Sequence, residues 1–523
     1  MNRAEGEFSG PSQSAPASLP APHAIPPRRV GLGLLTGCLF GLLAIDQLLL
    51  WRFVDFAPLW SYAAGAALAA GVAIAAARLA TRIGGDAPTV RRLGACLVIA
   101  LLLYLLGGEG RIFYANTDWQ VRDAVLHDMV ANPWPFAYVG RGFAELLRAP
   151  LGMYLLPSLA GKALGASAAD VALLLLNSIM LAIVLAIASA LFPDRRVAKR
   201  ALIVFLLFSG PDIVGELLVD IATGRAFPDR IEAWAGIRFS AHVVQAFWVP
   251  QHALAGWIVA LFFLLWRDAR APLGLLLAAV PLIALWSPLA LMGALPFTAL
   301  AAAHAFAERS IRRVDILLPA AATALAAPGL LYLTAGGDSV GMRLMALSPA
   351  WWLAFEAVEV GPYLLALAML RLRGRAIRSS YWVVAACLLL MPWIQIGPSI
   401  DFMMRATIPA IAVLSMLVAE GLGFLDPGAD RARRGWAGVL AVCLFLGSFT
   451  AAFEIRRALA YLPPPPPRCT LEQLLDRYYA RNDRSTYMAP VGTMPRLIRP
   501  SAPAPVPHGA RAICWGRQWE TPR

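Results

Sequence analysis

Apolar residues along this chain fall into long runs separated by short connections rich in arginine, proline and glycine. Residues 30–51, 168–192 and 406–425 approach or exceed the roughly 20 apolar positions needed to span hydrocarbon. Lipid offers no partner to a peptide N–H or C=O, so a run of this kind must satisfy its own backbone as a helix. The pattern predicts membrane-crossing helices over 30–51, 57–77, 93–107, 168–192, 200–219, 243–266, 272–286, 288–306, 314–334, 349–370, 381–397, 406–425 and 436–453, about thirteen in all. Residues 151–164 form a shorter run interrupted by Pro157 and Lys162, which predicts a half-inserted or interfacial helix. The expected fold class is an all-α polytopic transmembrane bundle.

Composition sharpens that picture. The 523 residues are 59% hydrophobic and only 15% charged, with a mean hydropathy of +0.64, outside the range of ordinary soluble domains. The net charge of +13 suggests nucleic acid at first sight, but the cations cluster in alternate short connections between apolar runs. Arg28 and Arg29, Arg78 to Arg92, Arg195 to Arg200, Arg267 and Arg270, and the arginines of 309–313, 371–378 and 431–434 follow that alternation. Cytoplasmic loops are enriched in this way. The charge therefore implies topology and no nucleic-acid partner, with the N-terminus cytoplasmic and the C-terminus outside. The domain reading is a disordered cytoplasmic leader over 1–27, rich in Pro, Ser and Ala, then a transmembrane domain over 28–455 with an outer loop at 108–150, then an outer tail over 456–523.

Within the outer loop, 120–131 is amphipathic, with Val121, Val125 and Met129 on one face and Asp123 and His127 on the other. A helix so patterned is expected to lie flat on the membrane surface. In the tail, Pro463 to Pro467 stiffen a spacer ahead of a short helix over 470–481. Cys469 and Cys514 are the only cysteine pair there, and both a disulfide and two free thiols fit the sequence. Cys38, Cys96, Cys387 and Cys443 lie within apolar runs as packing residues.

Ionisable residues in or beside hydrocarbon mark function when topology does not explain them. Asn116, Thr117, Asp118 and Trp119 follow the third crossing. Asp212, Glu216 and Asp220 recur every fourth residue, which places them on one helix stripe. Gln251 and His252 sit in the sixth crossing, and Asp401 and Arg405 in a tight outer turn. Each has a plainer reading: helix capping for Thr117 or Asp118, structural ion pairing for the acidic stripe, packing for His252, and snorkelling for Arg405.

Asn116-Thr117-Asp118-Trp119-Gln120, the turn Asn132-Pro133-Trp134-Pro135 and Pro150-Leu151-Gly152-Met153-Tyr154 resemble polytopic bacterial glycosyltransferases of the GT-C type. So do Phe208-Ser209-Gly210-Pro211-Asp212, Phe247-Trp248-Val249-Pro250-Gln251-His252 and Arg405-Ala406-Thr407-Ile408-Pro409. The resemblance implies a GT-C-like bundle in the bacterial inner membrane that moves a sugar from a polyprenyl-phosphate donor to a glycan, lipid or protein acceptor at the periplasmic face, with membrane lipid as a further partner. It implies Asp118 as general base. Arg405 is the expected phosphate clamp, Trp119 a platform for the sugar ring, and Asp123, His127, Asp212, Gln251 and His252 are further substrate-binding candidates. No paired Asp-x-Asp or Asp-Glu motif follows the third crossing, which leaves a divalent metal open. The alternative class is a transporter or flippase of a lipid-linked or amphipathic solute. Its usual mark, an inverted repeat, is not visible.

Overall fold

A computed structural model describes residues 28–192, 194–226, 230–268, 270–337, 340–372, 374–478, 484–507 and 513–523; the leader expected over 1–27 and the last residues of the tail helix expected over 470–481 lie outside the described residues. The chain begins with α1 (Leu32–Phe53), α2 (Leu59–Ala80) and α3 (Val90–Leu106), followed by α4 (Trp119–Ala131), α5 (Gly152–Leu164) and α6 (Ala166–Ala188). Then come α7 (Arg195–Leu207), α8 (Asp212–Thr223), α9 (His242–Trp248), α10 (Pro250–Arg267), α11 (Leu273–Leu282), α12 (Pro288–Ala307) and α13 (Val314–Leu333). The bent pair α14 (Pro349–Glu359) and α15 (Gly361–Leu370) precedes α16 (Arg375–Leu390), α17 (Asp401–Ala406), α18 (Ile408–Gly421) and α19 (Arg431–Ala460). The tail adds α20 (Leu471–Tyr478) and α21 (Arg484–Tyr487).

Among the described residues, eight helices are long and apolar enough to cross a membrane, counting α7 and α8 as one span, or nine with the pair bent by 58° between α14 and α15. The remaining expected crossings are shorter or less apolar for identifiable reasons. α3 has 17 residues and two arginines in its first turn. α11 has 10 residues before it tightens into a 3-10 turn. α10 opens on Pro250, Gln251 and His252. Two expected helices are broken where proline removes a donor and restricts the residue before it. The chain leaves helical geometry at Val249 (φ −140°, ψ 52°) ahead of Pro250, and between Phe208 and Pro211. The crossing expected over 381–397 ends at Trp393, because Ile394–Ile396 turns into a strand.

Contacts sort the connections onto two faces. The arginine-rich turns meet at one, through Arg29 to Asp86 (2.8 Å), Arg92 to Ser189 (3.4 Å), Arg200 to Asp426 (3.2 Å) and Arg270 to the carbonyl of Ala190 (2.5 Å). The long loop, the tail and the turns around 340–348 and 394–400 meet at the other. At the centre stands α10, buried at every position from Pro250 to Leu265, while neighbouring helices leave Leu217, Ile221, Leu317 and Phe445 exposed as a lipid-facing surface requires. Gly293 sets the approach of α12: a Cβ there would lie 1.9 Å from the carbonyl oxygen of Ala406. Small residues of this kind let membrane helices close on each other.

Two expectations are corrected. α4 forms over the predicted residues, but its polar face is not free. Asp123 and Asp128 are buried, because Arg111, Tyr138 and the tail cover the side meant for water. The tail is not a spacer with a separate helix; it folds back over the loop. Phe136–Ala137 (β1) pairs parallel with Ala504–Pro505 (β6), and Glu145–Leu147 (β2) antiparallel with Met488–Pro490 (β5). Met342–Leu344 (β3) pairs with Ile394–Ile396 (β4). Cys469 and Cys514 form a disulfide. α5 keeps both its ends beside α4, with Lys162 donating to the carbonyl of Val130 (3.2 Å), and it is absent from the long apolar spans.

The tail is anchored by Arg484, whose guanidinium reaches Glu145 (2.7 Å), Glu472 (2.8 Å) and Asp476. Replacing Arg484 by Ala leaves two buried carboxylates without their shared cation, a loss of about 3–5 kcal/mol. Limited proteolysis in membranes should then cut the tail of Arg484→Ala faster than that of wild type while the bundle stays intact. Equal cleavage rates would show that docking rests elsewhere.

Candidate functional site

Proline at position 288, the break at Pro250 and the short helix α17 leave a hollow at the loop-and-tail face, where the ends of α4, α5, α10, α12, α13 and α17 converge. It encloses about 310 Å³. Arg122 of α4, Arg148 of the long loop and Arg405 of α17 line it, and among the described residues one carboxylate, Asp401, lines it with them. Val121, Val125, Leu289, Leu333, Val340 and Ile396 provide apolar wall. Gln251 and His252 reach in from α10, Tyr154 from α5, and Thr486 and Tyr487 from the tail.

Geometry holds these groups firmly. Arg405 pairs with Asp401 one turn earlier (2.9 Å), and its Nε has no partner among the described residues. Arg148 donates to the carbonyl of Ser485, and its Nε is likewise unmatched. Burial in the loop lowers the Arg148 pKa from the ordinary guanidinium value, so an anion placed beside it restores a favourable environment. His252 shares a hydrogen bond with the Ser287 hydroxyl (Nδ1 to Oγ, 2.7 Å). The amide oxygen of Gln251 is buried with no donor among the described residues. Three guanidiniums facing a partly apolar hollow form a receptor for an amphipathic anion, since the planar fork binds phosphate in two-point fashion.

The sequence candidates divide into those in or beside the hollow and those elsewhere. Gln251, His252 and Arg405 line it. Asp118 stands at its edge, 39% exposed, with its carboxylate 3.7 Å from the Arg122 guanidinium. Arg122 also donates to the Asp118 carbonyl (2.9 Å), and the Asn116 side chain accepts from the Asp118 N–H (3.0 Å). Asp118, Arg122, Asp401 and Arg405 all act electrostatically on the Tyr487 hydroxyl, whose pKa is raised chiefly by burial. Helix α4 starts at Trp119 with no side-chain cap, so the capping expected of Thr117 or Asp118 is not made.

Trp119, Asp123, His127 and Asp212 do not line the hollow. Trp119 is buried and its indole N–H donates to the carbonyl of Phe247 (2.8 Å), which locks α4 to α9. Asp123 faces Arg111 (3.0 Å), which also holds Asp170 (2.8 Å). His127 lies 3.3 Å from Asp128. Asp128 in turn accepts from the Tyr138 hydroxyl (2.8 Å) and from the N–H of Leu471 (2.8 Å), capping α20. Asp212 belongs to another polar cluster, accepting from Ser209 (2.7 Å) and Thr450 (2.6 Å), near Glu359, which accepts from Trp234 (2.7 Å).

Arg148, Tyr154 and Tyr487 were missed as site residues. Arg148 carried a usable signal: an arginine in a loop on the side where topology does not call for cations. Tyr487 carried none, because its place depends on the tail folding back. Among the described residues no group of three or more His, Cys, Asp or Glu side chains is arranged to hold a metal ion. The chain matches no family model, no curated protein and no solved structure.

Burial pushes the Asp123 carboxyl up to about 7, against the pull of Arg111. The unfolded value is about 3.9, so the native state binds the proton more tightly, and the corresponding stability is complete below about pH 4 and lost as pH rises through about 7. The melting temperature should therefore fall between about pH 5 and 8, and Asp123→Asn, which keeps the shape but does not titrate, should flatten that slope. An unchanged slope would assign it to another group.

Proposed function

We propose that this chain is a membrane glycosyltransferase of the GT-C type, which transfers a sugar from a polyprenyl-phosphate donor to an acceptor at the periplasmic face of a bacterial inner membrane. The observation that carries the reading is the convergence of Arg122, Arg148 and Arg405 on a hollow with apolar walls, beside the accessible carboxylate of Asp118. In this orientation the arginine-rich connections are cytoplasmic, and the long loop and tail are periplasmic.

The chemistry follows from the charges. The acceptor hydroxyl attacks the anomeric carbon of the donor sugar, and its proton passes to the Asp118 carboxylate. The bond between that carbon and the phosphate oxygen breaks, and the electron pair stays on the departing lipid phosphate. Arg405, Arg148 and Arg122 hold the negative charge as it accumulates, in a site from which water is largely excluded. Gln251 offers an acceptor for a sugar hydroxyl through its unmatched amide oxygen. Arg122 has a second effect: its guanidinium, 3.7 Å from the Asp118 carboxylate, holds that group along the rim. No step is assigned to a metal.

The test is transfer from a labelled polyprenyl-phosphate sugar in isolated membranes. Asp118→Asn should lower turnover by about 100-fold or more with unchanged protein level. Arg148→Ala should weaken donor binding by about ten-fold or more, the equivalent of one lost charge-assisted hydrogen bond. Undiminished turnover in Asp118→Asn would remove that residue from the mechanism. Movement of the lipid-linked sugar across proteoliposomes without any new glycosidic bond would establish a flippase instead.

A further inference from the structure

A second cavity, of about 530 Å³, opens at the arginine-rich face, at the far end of the bundle from the hollow described above. Its walls come from α3, α6, α7, α10 and α18. Arg91 and Arg92 lie in the first turn of α3, and Arg195 and Lys199 in the first two turns of α7; all four line it. Thr89 fixes the first of these turns by accepting from the N–H of Arg92 (3.2 Å), and Asp194 the second by accepting from the N–H of Arg196 (2.7 Å). One to three turns further along the same helices the lining is apolar, with Ile99, Leu202 and Phe205, and Val184, Leu261 and Met416 complete the slot. Among the described residues that line it, none is acidic.

Topology accounts for cations on this face. It does not account for four of them meeting at the mouth of a walled apolar slot. The arrangement is graded, with charge where headgroups lie and hydrocarbon where tails lie. Basic pockets between membrane helices on this side select phosphate-bearing lipid heads. An apolar void of this size beside lipid is filled more favourably by an alkyl chain than by water. We propose that the cavity is a binding site for an anionic phospholipid, with the headgroup phosphate held by Arg91, Arg92, Arg195 and Lys199 and one acyl chain lying between α3, α6 and α7. The site is independent of the glycosyltransferase reading and shares no residue with the outer hollow.

The experiment uses the full chain in nanodiscs of equal parts phosphatidylglycerol and phosphatidylcholine, with retained lipid counted by native mass spectrometry after release. Wild type should keep one phosphatidylglycerol, at about ten-fold preference or more over phosphatidylcholine. The fourfold variant Arg91→Gln, Arg92→Gln, Arg195→Gln, Lys199→Gln should lose that preference. Arg431→Gln with Arg434→Gln, which removes charge from the same face outside the cavity, should keep it. Ala198→Trp fills the slot without touching a cation and should release the lipid, so it decides the matter if the fourfold variant does not fold. Retention unchanged in both the fourfold and Ala198→Trp proteins would overturn the proposal, as would equal loss in the Arg431 and Arg434 control. Displacement of the lipid by millimolar inorganic phosphate would also overturn it, identifying a site for a free anion.

Discussion

Two buried ionic centres hold together parts of the chain that are 339 and 343 positions apart: Arg484 on Glu145, and Asp128 on the backbone of Leu471. Neither centre is tolerable alone, since a carboxylate or guanidinium removed from water without a partner is strongly destabilising. Each therefore forces the long loop and the tail into register with one another. The strands β2 and β5, the cap on α20 and the disulfide between Cys469 and Cys514 are consistent with that single docking arrangement. The hollow has Thr486 and Tyr487 among its lining only because the docking occurs.

The arginines divide by face, and the division carries the functional argument. Those at one face lie where a positive-inside chain places them. Arg111, Arg122, Arg148, Arg405, Arg457 and Arg484 lie at the other, and each is bound to something specific. Arg111 bridges Asp123 and Asp170, Arg457 joins Glu454 and Glu520, and Arg484 ties down the tail. Arg122, Arg148 and Arg405 instead converge on one space. Arg111, Arg457 and Arg484 each bridge at least two carboxylates, whereas among the described residues that line the space shared by Arg122, Arg148 and Arg405 only Asp401 is acidic.

The helices were legible because their signal is local: length and apolarity of one run suffice to place α1, α2, α6, α12, α13 and α18 within a few residues. The ends of α19 were not, because Arg457 extends the helix past the apolar run only by virtue of Glu454, Tyr114 and Glu520, and the last is 63 positions away. The reading of α4 failed for a related reason. Its alternating faces were correctly seen, but amphipathicity states that a polar face needs a polar partner, not that the partner is water. Asp123 found Arg111, and Asp128 found Tyr138 and the tail. In the site, Gln251 and His252 were readable as polar groups out of place in an apolar run, and Arg405 as a cation in a tight outer turn. Trp119 looked equally suitable, and only the carbonyl of Phe247 reveals that its indole is already spent.

The fold-back of the tail imposes an order in time. Ser485, the backbone partner of Arg148, is 337 positions later in the chain, so at 5–20 residues per second a ribosome reaches it roughly 17 to 70 s after the loop has emerged. Until then the hollow lacks the wall that Thr486 and Tyr487 supply. A protein cut short between Ala460 and Ser485 would carry the helices through α19 yet lack the wall that Thr486 and Tyr487 give the hollow, so the shape of the hollow depends on chain made after the last long helix.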